Sequence, residues 1–398
     1  MRPTHYILTP ALVQHLARQR LQAYIPLADF SLTCTATVVW TVLLAAAGAR
    51  SSIFATCKRL RDAPSDETVR KALRASLTNG VKLQWQINRA LRGYLPKALK
   101  RKARPVACDL HLTPYYGQPY ADPKELCRSR SKDGTTHFHS YATAYIVCKG
   151  QRFTVGLTYV TQGTPTRDVL KGLLNQVRRA GIRITYVLLD RGFYSVAVIR
   201  YLQAARTPFL MPAKFTGRKP KNWNAPGNFR AWKRSGWGRH TLTHDDRKGK
   251  PIMRATVDIC VVCINQACRK SRRGGRPKKR GRHRWIYALW GLGKRSCHWV
   301  RQTYRRRFAI ESTYRQLNEG KIRTSTRQPE LRLLFIGLAL LLRNVWVWLH
   351  YEVLASRRRG HRRLNLGRLR LRRLLEWLVR VAEKTFGEIN MVPAEVPL

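Results

Sequence analysis

Apolar residues recur along this chain with two different periods, and the change of period divides it. Over residues 1–99 they return at helical spacing between short basic stretches, so an all-helical N-terminal region is expected. The run 62–73 carries a helix start: Pro64 in a turn, Ser65 as cap, Asp66 and Glu67 in the first turn, then Val69, Ala72 and Leu73. Such a region suits DNA binding or dimerisation. A helix-turn-helix is one arrangement it permits, although any small helical bundle would look the same.

At Arg104 the period shortens. Residues 105–112, 137–147 and 153–160 read as strands, the last two joined by a turn at 149–151. Then 166–180 reads as helix, 183–189 as an apolar strand, 194–205 as helix and 208–211 as a short strand. The order β-β-β-α-β-α-β over 104–213 predicts an α/β mixed sheet with flanking helices, its functional residues at strand ends. Residues 214–294 break the rhythm with Pro, Gly and Trp and two β-like runs near 252–264 and 284–290. Between those runs, ten of the sixteen residues 269–284 are basic. An inserted β-rich subdomain with a disordered basic loop is expected there. Helix returns over 299–318 and 330–352, so 295–354 is expected to complete the core. In the tail, 355–398, Arg and Leu alternate at helical spacing over 357–383, which predicts a basic amphipathic helix.

Two stretches, 32–49 and 331–354, are apolar enough to be taken for membrane spans. Arg343, Asn344 and His350 interrupt the second, and charge in mid-span is costly in lipid. Both read as buried core helices, and no membrane partner is expected. Residues 1–20 lack a continuous apolar run, so no secretory leader is expected.

Charge then changes the picture. The chain has 398 residues, 44% of them hydrophobic, enough for two or three globular domains. Its 77 Lys and Arg face only 21 Asp and Glu, a formal net charge of +56. A polyanion is the natural partner, because phosphate-bound Lys and Arg release counterions. Nucleic acid fits better than an anionic membrane, since the charge runs along the whole chain. Within 269–284, Arg272, Arg273, Lys278, Lys279 and Arg280 are candidate DNA-binding residues. The nine Cys are odd in number and scattered, so reduced thiols in the cytoplasm, at the nucleoid, are expected rather than disulfides. Cys260 and Cys263 have zinc-like spacing, with Cys268, Cys297 and His298 downstream. They fall in a run read as a strand, whereas a zinc ribbon sets its pair on a tight knuckle, so packing is the preferred reading.

With acids so scarce, each needs a reason. Asp109 is flanked by apolar residues in a predicted strand, where a carboxylate is costly unless paired or metal-bound. Asp190 ends the apolar run Tyr186-Val187-Leu188-Leu189. Two such acids on one sheet can share a cleft and hold divalent ions for phosphoryl transfer. Alone, Asp190 could cap the following helix and Asp109 could pair with an Arg. Glu311 lies in a third place, on a helix face with Tyr304, Arg307, Arg315 and Asn318. It could complete a metal site while Tyr304, Arg307 and Arg315 hold DNA phosphates, or serve only as a salt-bridge partner. Asp168 reads as a helix-start acid, and Glu319 competes with Glu311 from two turns further on. His111 and His139 lack the spacing of a metal pair. Trp232 and Trp237 sit among basic residues, a pattern suited to stacking on an unpaired base, although packing in a small β domain is the favoured reading.

These motifs, in this order, carry a resemblance. Tyr304, Arg307 and Glu311, with Asp109 and Asp190 upstream, are similar to the YREK-signature group of bacterial and archaeal insertion-sequence transposases. The run from Asp109 to Gly117 resembles that group's first-Asp strand. Asp190-Arg191-Gly192-Phe193-Tyr194-Ser195 resembles the second-Asp motif, and Phe308-Ala309-Ile310-Glu311-Ser312-Thr313-Tyr314-Arg315 the third. Lys132-Asp133-Gly134-Thr135 looks like the hairpin between them, and the whole likeness spans about 104–349. Asn318 stands where the signature has its Lys, and Lys321 lies three residues on, within reach of the same place. The resemblance implies a ribonuclease-H-like core and a DDE transposase in which Asp109, Asp190 and Glu311 hold two Mg²⁺ or Mn²⁺ ions. It further implies cleavage at element ends, transfer of the freed 3′-hydroxyl into target DNA, with room for a hairpin intermediate, and a homodimer on double-stranded DNA. It also brings base stacking by an aromatic of the insertion. The rival readings are a catalytically inactive DNA-binding remnant and a structural RNA-binding protein.

Overall fold

The computed structural model describes residues 7–148, 152–214, 229–245, 251–266, 281–358 and 361–389. The first region folds as expected into α1 (Pro10–Gln22), α2 (Ala36–Ala49), α3 (Ile53–Arg59), α4 (Asp66–Ser76), α5 (Gly80–Gly93) and α6 (Lys97–Arg101). Thr9, Thr35, Ser52, Ser65 and Asn79 start the first five, each side-chain oxygen accepting the backbone N–H three residues on.

There follow β1 (Arg104–Pro114), β2 (Cys127–Lys132), β3 (Thr135–Ile146), β4 (Thr154–Val160), α7 (Thr166–Arg179), β5 (Ile184–Leu189), α8 (Val196–Ala204) and β6 (Phe209–Pro212). β1 lies antiparallel to β3 and β3 to β4, whereas β5 runs parallel to β1 and β6 parallel to β5. That is the ribonuclease-H-like order, with α7 and α8 as the crossovers between strands. β2 is an extra strand on the first half of β3.

The β-rich insertion is present as β7 (Gly236–Asp245), β8 (Pro251–Gln266) and β9 (Gly281–Trp290). It does not stand apart from the core. β9 pairs with β6 from Phe209↔Trp290 to Pro212↔Tyr287, and β8 and β7 add outward from there. The full order is β2-β3-β1-β5-β6-β9-β8-β7, with β4 also on β3. An open edge at the four-residue β6 would leave backbone groups unpaired, and the insertion satisfies them. Arg272, Arg273, Lys278, Lys279, Arg280 and Cys268 lie outside the described residues.

α9 (Cys297–Arg305) runs through a 3-10 turn (Arg306–Phe308) into α10 (Ala309–Glu319). One uninterrupted helix was expected here; the tightened turn divides it. The hydroxyl of Tyr145, from β3, donates to the Arg307 carbonyl at 3.0 Å, inside the break. A side chain entering the helical ladder is a common cause of such a bend. α11 (Pro329–Trp348) continues through a π-helical turn (Leu349–Val353), then a hairpin of β10 (Ser356–Arg358) and β11 (His361–Arg363), then α12 (Leu371–Phe386). The tail helix therefore begins at Leu371 and not at 357.

Both apolar stretches are packed inside the protein. α2 is buried along most of its length, and the most apolar window of α11 is 94% buried. α2 meets α12 so closely that a Cβ on Gly48 would stand 2.5 Å from the Leu375 carbonyl oxygen. The outer edge of β4 is closed by side chains instead of a strand. Asn88 of α5 accepts from Leu157 N–H and donates to its carbonyl, both at 2.8 Å. Asn344 of α11 does the same at Thr154, at 3.0 and 2.8 Å. These amides join α5 and α11 to the sheet.

Candidate active site

Alternation along β1 turns Cys108 toward the α7 side and Ala107 and Asp109 toward the side that carries α9. On that side Ala107, Tyr145, Leu188 and Leu210 pack against Val300 and Tyr304. β1 and β5 run parallel with Cys108 beside Leu189. Asp109 is the next residue on β1 and Asp190 the residue just past the end of β5, so the sheet sets their carboxylates side by side.

One guanidinium joins them. Arg307 Nη1 lies 3.2 Å from Asp109 Oδ2, and Nη2 lies 3.2 Å from Asp190 Oδ1. The side chains of Arg307 and Asp109 are 8% and 13% exposed, that of Asp190 43%. Burial pushes the Asp109 carboxyl up to about 6; Arg307 works against that shift and Asp190 with it. Burial would lower the Arg307 pKa, but Tyr304 and the two aspartates outweigh it and raise it. Asp190 makes no side-chain cap to the turn that follows, and Ser195 caps α8 in its place. Its simple capping role is therefore not realised. Asp109 does pair with an Arg, the arrangement that its alternative reading anticipated.

The other expected residues are distributed around this pair. The Arg307 guanidinium carbon is 5.3 Å from the centre of the buried Tyr304 ring. Glu311 lies in α10, and its side chain is outside the described residues. Arg315 is exposed on α10 and Asn318 likewise. Lys321 follows α10, half-buried, its ammonium brought down to about 8 by burial and then by Arg332. Asp168 is in the first turn of α7, 2.9 Å from Arg167, as a helix-start acid would be. Cys260 and Cys263 are free thiols in β8. No group of three or more His, Cys, Asp or Glu that could hold a metal ion forms among the described residues. Trp237 spends its indole N–H on the Arg295 carbonyl at 3.1 Å, and Trp232 packs on Phe229 with ring centres 5.3 Å apart.

Several neighbours were not expected from the sequence. Tyr314 donates to or accepts from Thr143 at 2.8 Å, directly opposite Asp109 in the β1–β3 register, and stacks on His111 at 4.6 Å. Burial, with Lys321 and Lys132 nearby, brings His111 down to about 4. Beside Tyr304 opens a cavity of about 710 Å³ walled by Arg191, Arg284, Arg301 and Arg305 around Trp285 and Tyr287. The Arg301 guanidinium carbon stands 4.6 Å from the centre of the Trp285 ring. The sequence did offer a signal for this cavity, Arg284 next to Trp285, but the same interleaving occurs around Trp232 and Trp237.

Oxygen donors converging on one cation are a set that a divalent ion fits, since Mg²⁺ and Mn²⁺ take carboxylate oxygens. A family model for the transposase DDE domain matches residues 121–345, a stretch that includes Asp190 and Glu311 and begins beyond Asp109. No curated protein matches the chain. Among solved structures, the cryo-electron microscopy structure of the piggyBac transposase synaptic complex with hairpin DNA is similar. The TM-score is 0.55 at 11% identity, over 100% of this chain and 88% of that one. At that identity the likeness is one of fold.

Proposed function

The chain belongs to the transposase DDE domain family, matched over more than half its length, and we propose that Asp109, Asp190 and Glu311 are its catalytic metal ligands. The observation that carries this reading is the pair of carboxylates on parallel strands sharing one counter-charge. The family works with divalent ions, and two of them, Mg²⁺ or Mn²⁺, would be held by these carboxylates. Bound there, the ions would activate water and stabilise the charge that develops on a scissile phosphate.

The protein's own residues supply position and charge. The sheet fixes Asp109 and Asp190 in register, and Arg307 can fork onto a phosphate by two parallel hydrogen bonds. Lys321 takes the place of the signature Lys and, with Arg315, holds the strand backbone. Tyr304 orients Arg307. The Trp285 cavity receives an unpaired base, stacked on an aromatic face and ringed by arginines. Trp285 joins Trp232 and Trp237, which like it are partly buried among apolar neighbours, as a candidate for base stacking. The reaction is metal-dependent cut-and-paste transposition in the manner of the YREK-signature group: cleavage at the ends, then transfer of the 3′-hydroxyl into target DNA by a homodimer.

The test is nicking of supercoiled DNA that carries the element ends. Wild type should cut with Mg²⁺ or Mn²⁺ and not with EDTA. Asp109→Asn and Asp190→Asn should bind the DNA and leave it uncut. A variant at either position that cuts at near wild-type rate would place the chemistry elsewhere.

A further inference from the structure

Arg307 occupies the position where a cation is needed, and it does so from a fixed base. Its carbonyl accepts from Tyr145, its guanidinium lies by the Tyr304 ring, and its two terminal nitrogens reach one carboxylate each at the same 3.2 Å. Two carboxylates this close repel each other when both are ionised, unless a positive charge stands between them. A planar fork can serve both at once; an ammonium, as a point charge, cannot match that geometry. Arg307 and Asp109 are both nearly buried, so water does little to screen that pair, and it screens the pair with the more exposed Asp190 more.

We propose that Arg307 is a built-in stand-in counter-ion, which keeps Asp109 and Asp190 converged in the metal-free protein and is displaced from them when divalent ions bind. The inference rests on the reading of those aspartates as metal ligands. Ion and guanidinium compete for the same oxygens, so each weakens the other's hold. Displacement takes the guanidinium off these two carboxylates, and a DNA phosphate is an anion it can then meet. Metal loading and phosphate capture then favour each other through one side chain, a reciprocal coupling. It follows that the resting protein takes up metal poorly until DNA arrives.

The experiment is a Mn²⁺ titration of the full chain followed by electron paramagnetic resonance, with and without a short duplex of arbitrary sequence. Without DNA, Arg307→Gln should bind Mn²⁺ about tenfold more tightly than wild type, the ordinary size of a coupling between sites. Arg307→Lys keeps the charge but loses the fork, and should show a smaller gain. Adding duplex should tighten Mn²⁺ binding in wild type and leave Arg307→Gln nearly unchanged. Equal or weaker binding by Arg307→Gln overturns the proposal. So does an Arg307→Lys affinity equal to wild type, because charge alone would then account for any effect. Should Arg307→Gln fail to fold, the Lys variant decides alone. Binding that Asp109→Asn abolishes and both Arg307 variants leave unchanged overturns this inference while sparing the metal site. Binding indifferent to Asp109→Asn overturns both.

Discussion

Two buried arginines, Arg307 and Arg343, sit on neighbouring helical segments and show what partners do to a buried charge. Arg307 faces two carboxylates. Arg343, on α11, donates to neutral oxygens: Gln316 Oε1 at 3.0 Å and the Arg152 carbonyl at 2.5 Å. It has no ion pair among the described residues, and burial, then Arg152, brings its pKa down to about 10. That of Arg307 moves the other way. Neutral partners make Arg343 a structural bolt, tying α11 to the end of β4 beside Asn344. Acidic partners make Arg307 part of a charge arrangement that another cation can replace. Burial alone would rank the two together; Tyr304 and the two aspartates separate them.

The largest effect expected from this contrast is on cleavage. Asp109→Asn or Asp190→Asn should reduce nicking on the order of 10³-fold or more, the scale of removing preorganised charge from phosphoryl transfer. Arg343→Met, which fills the space with an apolar chain, should fold and cut near normally. If a folded Arg343→Met protein cuts as poorly as the Asp variants, the distinction fails.

Stability should divide them next. Arg343→Ala leaves a cavity and an orphaned carbonyl, and should cost about 3 kcal/mol in denaturant unfolding, with or without EDTA. Arg307→Gln should cost about 2 kcal/mol in EDTA, less than a fully buried pair because Asp190 is 43% exposed. Saturating Mn²⁺ should restore that loss. A deficit at Arg307 that metal does not relieve would make it structural after all.

Two smaller effects sharpen the picture of the cleft. Lys321 carries a full charge only below about 8 in the free protein. Its share of DNA affinity, read as wild type against Lys321→Gln, should be full near pH 7 and fade as pH rises past that value. A share that is constant to pH 10 would contradict it. Arg315 is exposed, so Arg315→Ala should lower the dependence of log affinity on log salt by about 0.9, one phosphate contact, and change little else.

Much of this was legible in the sequence because it is local. The change of apolar period marked the sheet, and Ser65 and the acids after it marked α4. Asp109 and Asp190 stood out as acids at apolar strands, an anomaly that composition made visible. What stayed hidden depends on distance in sequence. Arg307 lies 198 residues from Asp109, and no periodicity pairs them. The break before α10 depends on Tyr145 of another strand. The insertion read correctly as β-rich, but its place on the edge of β6 follows from which edge lacked a partner, which no local pattern states. Trp285 was passed over because Trp232 and Trp237 carry the same local signature; only the fold shows that Trp285 borders a cavity.

The most direct measurement at the aspartate pair is a crystal structure of the protein soaked in Mn²⁺, read by anomalous scattering. A Mn²⁺ peak about 2.1 Å from carboxylate oxygens of both Asp109 and Asp190, with Arg307 moved off them, is the expected result. Mn²⁺ bound elsewhere, with the Asp109–Arg307–Asp190 bridge intact at saturating metal, would contradict it.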